Sequence, residues 1–170
     1  MAQGADIYLN EILTKIYANH NLCKLLYFDD RNPLSHSNLS DTTILKTDKL
    51  NQRLFISPFS IDTTDKTKST LHIMINNFEF DTETKYYSDF EIDFIICINV
   101  RIWEIDDGSE LVQTRLNLII DELLKTFNRQ RTIGMGKNHF QYGKIQKYSD
   151  YFWGMIISLR AIDLPTYLNE

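Results

Sequence analysis

The chain has no run of apolar residues approaching the 18 or so that a membrane span requires, and no basic segment followed by an apolar core near its start. A spanning helix and a secretory leader are therefore not expected, and the expectation is a protein made and used in a reducing cytoplasm or assembled there into something larger. Cysteine is scarce: Cys23 and Cys97 lie far apart in apolar runs, where small buried thiols are common, so neither a disulfide framework nor a thiolate metal site is indicated. Cations are also in the minority. A formal net charge of −5 argues against general affinity for a nucleic-acid backbone, which needs clustered lysines and arginines to displace counterions.

Signatures of catalysis are missing too. His20, His36, His72 and His139 share no metal-ligand spacing with each other or with the cysteines. No Gly-x-Ser-x-Gly elbow exists. Gly134-Met135-Gly136-Lys137-Asn138 has the look of a phosphate loop. However, Arg131 stands where the first glycine should be and Asn138 where Ser or Thr should be, so the segment reads as a cationic connection. The densest carboxylates, Glu104, Asp106, Asp107 and Glu110, lack the acidic residues an EF-hand loop places before its Asp-Gly. The simpler reading has Asp106 or Asp107 shaping a turn, Ser109 capping a helix and Glu110 in its first turn. No catalytic residue, metal or cofactor is expected.

What is present is a globular composition, 43% hydrophobic, 24% charged and 12% aromatic. At 170 residues the chain fits one domain, 1–170. Asp6 to Phe28 has a helical apolar pattern, broken at Ala18-Asn19-His20-Asn21 into two short helices or one bent one. Residues 29–52 are rich in turn formers and make an unusually long connection, a candidate contact surface. Arg53 to Phe59 reads as a short strand, placed at an edge by Pro58. Leu71, Ile73 and Ile75 then alternate with polar or partly polar neighbours in a strand from Thr70 to Phe80.

The centre of the chain is Phe90 to Phe127. A strand runs from Phe90 to Trp103 with Ile92, Phe94, Ile96, Ile98, Val100 and Ile102 on one face, and turns at Asp106-Asp107-Gly108. A helix follows with Val112, Leu116, Ile119, Ile120, Leu123, Leu124 and Phe127 on one side. Strands near His139 to Ile145 and from Tyr151 to Ile162 close the chain. The expected class is α+β, an antiparallel or mixed sheet of four to five strands with two main helices packed on it. The expected order is α-β-β-β-α-β, with room for one more strand. A strand of about 14 residues spans about 46 Å and a helix of about 18 only about 27 Å. The overhang would leave an exposed apolar edge, so a second subunit is expected to cover it.

This arrangement resembles the tail-completion or tail-terminator proteins of tailed bacteriophages. The likeness is carried by Leu22-Cys23-Lys24-Leu25-Leu26-Tyr27-Phe28, Asn32-Pro33-Leu34-Ser35, Arg53 to Phe59, the strand closing on Trp103 to Gly108, the helix, and the aromatic last strand. The resemblance implies a structural virion protein of the neck: a homohexameric ring that caps the tail tube and joins it to the head connector. DNA would pass through the lumen without sequence-specific contact. Its partners would be the tail tube protein and neighbouring connector proteins, with no membrane. Strand overhang and loop position nominate Tyr86, Tyr87, Arg101, Trp103, Arg129, Arg131 and Lys137 as subunit or partner contacts. An adaptor of another assembly, or a small enzyme with a dispersed site, are the other classes left open.

Overall fold

The computed structural model describes residues 3–56, 67–80, 87–128, 131–132 and 136–162. Within these spans, the side chains of 3–7, 77–80, 87–90, 131–132, 136–138, 142 and 161–162 are not described. The chain starts with two helices, α1 (Gln3–Ala18) and α2 (His20–Tyr27). The break expected between them is made by Asn19, whose side-chain oxygen accepts from Leu22 N at 2.9 Å and caps α2. Its amide nitrogen reaches the hydroxyl of Thr126 at 2.8 Å and the carboxylate of Glu122 at 3.0 Å, so the same residue docks the helix pair on a later helix.

Residues 29–52 are folded onto the body. They contain a 3-10 turn, Pro33–Ser35, and one helical turn, α3 (Ile44–Thr47), with Pro33 and Leu45 buried. Lys24 anchors this segment by donating to the carbonyls of Leu34 and His36 at 3.1 and 3.2 Å.

The strands are β1 (Leu54–Ile56), β2 (Ser69–Phe80) and β3 (Tyr87–Asn99), then a short hairpin of β4 (Glu104–Ile105) and β5 (Gln113–Thr114). Helix α4 (Arg115–Phe127) follows, and then β6 (Arg131–Thr132), β7 (Gly136–Lys147) and β8 (Phe152–Ile162). The main sheet has the order β1-β2-β3-β8-β7-β6 and the hairpin forms a separate ribbon. All main-sheet pairings are antiparallel except β1 with β2. The fold is the expected mixed α+β class, with six strands in the sheet instead of four or five.

The helices lie on the face formed by Leu71 and Ile73 of β2, Ile92, Phe94, Ile96 and Ile98 of β3, and Ile157 and Leu159 of β8. The stripe Leu116, Ile119, Leu123 and Phe127 of α4 is at most 2% exposed. Each such side chain contributes roughly 1.5–3 kcal/mol of burial, as an upper estimate. The opposite face carries a smaller cluster of Ile95, Cys97 and Phe152, flanked by Met74, Tyr148 and Ile156.

Three expectations are corrected. The long strand stops at Asn99, because the Asn99 side chain accepts from Arg101 N at 3.0 Å and folds Val100–Ile102 into a 3-10 turn. The helix begins at Arg115 under the cap of Thr114, so Ser109 caps nothing, Glu110 lies outside it, and Val112 is exposed on the hairpin loop. Two-residue strands are too short to show a period, and Val112 happens to continue the helical one. Asp107 does shape the turn: it accepts from Ser109 N at 2.9 Å beside Gly108, whose φ of +77° suits glycine.

The third correction concerns the overhang. Strand β3 still outruns α4, with 13 residues in each. Yet β3 lies inside the sheet, with β2 on one side and β8 paired to Glu91 through Asn99 on the other. It is therefore an inner strand and not an edge.

Candidate functional site

The nominated contact residues fall into two groups at opposite ends of the sheet. Arg101 and Trp103 follow the C-terminal end of β3. Tyr87 begins β3 opposite Phe80. Arg131 pairs with Lys137, which in turn faces Ile162 at that far end. The two ends are roughly 40 Å apart at the rise of a strand. The side chains of Tyr87, Arg131 and Lys137, and all of Tyr86 and Arg129, lie outside the described residues.

Arg101 and Trp103 belong to a built surface. The 3-10 turn is pinned to the start of β8 by Val100 N donating to Tyr151 O at 2.9 Å, and to α4 by Arg115 N donating to Trp103 O at 2.8 Å. This holds Val100 (43% exposed) beside Trp153 (39% exposed) and half-buried Trp103, in a groove of about 450 Å³ that also includes Arg31 and Glu104. Arg31 and Glu104 border a second depression of about 320 Å³, walled by the hairpin loop with Leu111 (74% exposed) and Val112 (86% exposed). Asp106 N donates to Arg31 O at 2.7 Å and fixes the hairpin beside this shared wall. Arg101 is exposed on the turn. Large apolar groups gathered at the surface, with Arg31 and Glu104 on the wall the two depressions share, have the make-up of a protein-contact surface.

Beneath this surface lies Arg115, which the sequence reading missed. It is fully buried at the first position of α4. Its Nη1 donates to Leu25 O at 2.9 Å, Phe28 O at 2.7 Å and Ser69 Oγ at 3.3 Å; Nε donates to Ile102 O at 3.1 Å and Nη2 to Asp30 O. The guanidinium thus satisfies carbonyls at the end of α2, where a helix leaves them without partners. It joins α2, β2, the 3-10 turn and α4 at one point. Burial brings its pKa down to about 10, with Asp29 and Asp30 opposing that fall. A cation in the first turn opposes the helix dipole, and here it also sits on the apolar stripe beside Leu116; that conflict was the available signal.

Close by, Arg53 Nη2 pairs with Asp29 Oδ2 at 2.5 Å. Burial raises the Asp29 carboxyl more than Arg53 and Arg115 lower it. On the far face of the sheet, burial pushes the Cys97 thiol up to about 12 and the His72 imidazole down to about 4, where it stacks on Phe55 at 4.6 Å. These are packed interior groups. Among the described residues no three of His, Cys, Asp and Glu gather as a metal site would require, and no helix is long and apolar enough to cross a membrane.

The fold is that of an α+β protein with exposed apolar groups and two shallow depressions at one end of its sheet. The YomW family model matches residues 19–159, so the chain belongs to the YomW family. YomW is a name of the phage gene-product type, and the chain is to that extent phage-related. No curated protein matches the chain.

Proposed function

We propose that this protein is a structural component of a phage neck, a ring-forming tail terminator that caps the tail tube and joins it to the head connector. The observation that carries the reading is the end of the sheet, where a groove lined by Val100, Trp103 and Trp153 shares Arg31 and Glu104 with the depression walled by the exposed Leu111 and Val112. A surface of this composition is costly to leave in water and suits a protein neighbour, the tail tube or the connector. The phage type of the family name agrees with it. The net charge of −5 suits a lumen that lets DNA pass, since cations there would hold phosphates in place.

Negative-stain microscopy and light scattering of the purified protein test the reading. The expected result is a closed ring, six-fold, with a central hole. Trp153→Ser and Val112→Asp, with unchanged circular dichroism, should lower docking to tails or connectors at least tenfold. A discrete dimer with no hole would point to an adaptor of another assembly. A monomer whose melting is raised by a metabolite or a metal would point to an enzyme.

A further inference from the structure

Among the described residues, the helices cover only part of the sheet face they pack on. Helix α4 reaches β7 near Phe140, where the Phe94 ring lies 5.3 Å from Phe127 and 6.0 Å from Phe140. Toward the end of the sheet that carries the 3-10 turn, the same face of β7 and β8 presents a block of two cross-strand pairs, Ile145 opposite Met155 and Lys147 opposite Trp153. All four lie on the helix side, because Met155 and Trp153 are paired with Ile96 and Ile98 of β3. Ile145 is 59% exposed, Trp153 is exposed and Met155 is half-buried. Gly143 lets the block lie flat: a Cβ there would stand 2.5 Å from Met155 Cε, so the methionine reaches across to β7 over the glycine. Apolar groups gathered in this way on one face mark a contact site.

We infer that the occupant of this block is a second copy of the chain: Leu111 and Val112 on the hairpin loop of one copy pack against Ile145, Met155 and Trp153 of the next. The inference rests on the ring reading above and names the contact between its subunits. The loop is built to be presented. Asp107 accepts from Ser109 N at 2.9 Å and from Gln113 Nε2 at 3.1 Å, and Ser109 Oγ donates to Leu111 O at 3.3 Å. A loop braced in this way has little freedom left to lose on docking, which favours association. The bond from Asp106 N to Arg31 O holds the hairpin beside the segment that follows α2, and Leu111 and Val112 stay exposed, so the loop does not cover the block of its own copy.

Charge favours this pairing over the symmetric ones. Residues 104–112 carry Glu104, Asp106, Asp107 and Glu110, all exposed, and no cation; Arg31, on the wall beside Glu104, offsets one of them. Residues 143–155 carry Lys144 and Lys147 against a single carboxylate, Asp150, which pairs with Lys147 at 2.8 Å. Lys147 lies on the block itself, and Lys144 precedes Ile145 on the other face of the strand. Loop against loop would set carboxylates against carboxylates, and block against block would set lysines against lysines. Loop against block brings opposite signs together around an apolar centre. The contact uses two different patches, so it repeats head to tail and closes into a ring when the rotation per subunit divides the circle.

Light scattering and sedimentation of the whole chain test the inference. Val112→Asp and Ile145→Glu change exposed positions, and each should raise the concentration at which half the chains are assembled by at least about tenfold, with circular dichroism unchanged. Mixed one to one, the two variants should form a discrete heterodimer, because the Ile145→Glu protein keeps an intact loop and the Val112→Asp protein an intact block. That pair has no second sound contact, so it should grow no further. Should Ile145→Glu disturb its strand, Ile145→Thr keeps a branched strand-forming side chain and should act in the same direction. A ring that survives both substitutions would overturn this inference and leave the ring reading standing. Loss of assembly with only one of the two, and no rescue on mixing, would overturn it in favour of a symmetric contact, loop on loop or block on block. A closed two-fold dimer that shows the rescue would uphold the contact and overturn the ring reading. A monomer at all concentrations would overturn both.

Discussion

Replacing Arg115 by methionine removes a guanidinium from the interior while keeping most of the volume of its stem. Four backbone carbonyls, of Leu25, Phe28, Asp30 and Ile102, and the Ser69 hydroxyl then lose their donor. A buried acceptor left without a partner costs about 1–3 kcal/mol, so the gross loss is about 5–15 kcal/mol. Two terms offset it: the desolvation of the guanidinium, several kcal/mol, is no longer incurred, and water can reach the Asp30 end, which is exposed. The net expectation is a loss of about 3–5 kcal/mol, the range for removing one member of a buried ionic cluster. At about 2–4 °C per kcal/mol for a chain of this size, the melting temperature should fall by roughly 6–20 °C.

Urea unfolding followed by tryptophan fluorescence is the assay, since the two tryptophans flank the joint that Arg115 holds. The midpoint should fall with little change in slope. Arg115→Lys should recover only a fraction, because one ammonium cannot reproduce a planar fork that spans five acceptors. A methionine variant within about 1 kcal/mol of wild type would refute the reasoning. It would mean that the carbonyls find other partners and that the ionic cluster is replaceable by packing.

Other substitutions probe single features of the interior. Gly154 faces Cys97 across β3 and β8, and a Cβ there would sit 1.7 Å from Ile96 O. Backbone must move, so Gly154→Ala should cost about 3 kcal/mol or more, read as loss of soluble protein or of the urea midpoint. His72 is held neutral by burial, with its pKa down from 6.5 to about 4. The folded state therefore binds fewer protons than the unfolded state between those values, and this group's contribution is lost as pH falls through that window. Stability should drop there by about 3 kcal/mol at most, and His72→Asn should lack that part of the slope. Cys23 and Cys97 are both buried with thiols raised to about 12, so neither should react with a thiol reagent in the native protein at pH 8, and both should react in urea.

The interior was readable from the chain wherever periodicity reports it. Ile92, Phe94, Ile96 and Ile98 alternate along a strand, and Leu116, Ile119, Leu123 and Phe127 recur at helical spacing; these eight lie in the core. Asn19 could be placed as a break because its side chain bonds its own local backbone. Boundaries failed where two local patterns agreed by accident. Val100 and Ile102 prolong a strand-like alternation that the Asn99 side chain ends, and Val112 prolongs a helical one that Thr114 starts later. Of the nominated contacts, Trp103 was placed on the groove wall and Arg101 on the neighbouring turn, while Tyr87, Arg131 and Lys137 went to the far end.

Sequence alone therefore determined the type, order and buried faces of the long elements, because these depend on neighbours three or four residues apart in a helix and two apart in a strand. Tertiary structure decided the rest. It set β3 inside the sheet, between β2 and β8. It paired β1 parallel to β2 and brought Arg115 to carbonyls some 85 to 90 residues away in sequence. No local pattern encodes which distant strand lies alongside, or which distant carbonyl a buried cation will meet, since those are properties of the assembled core.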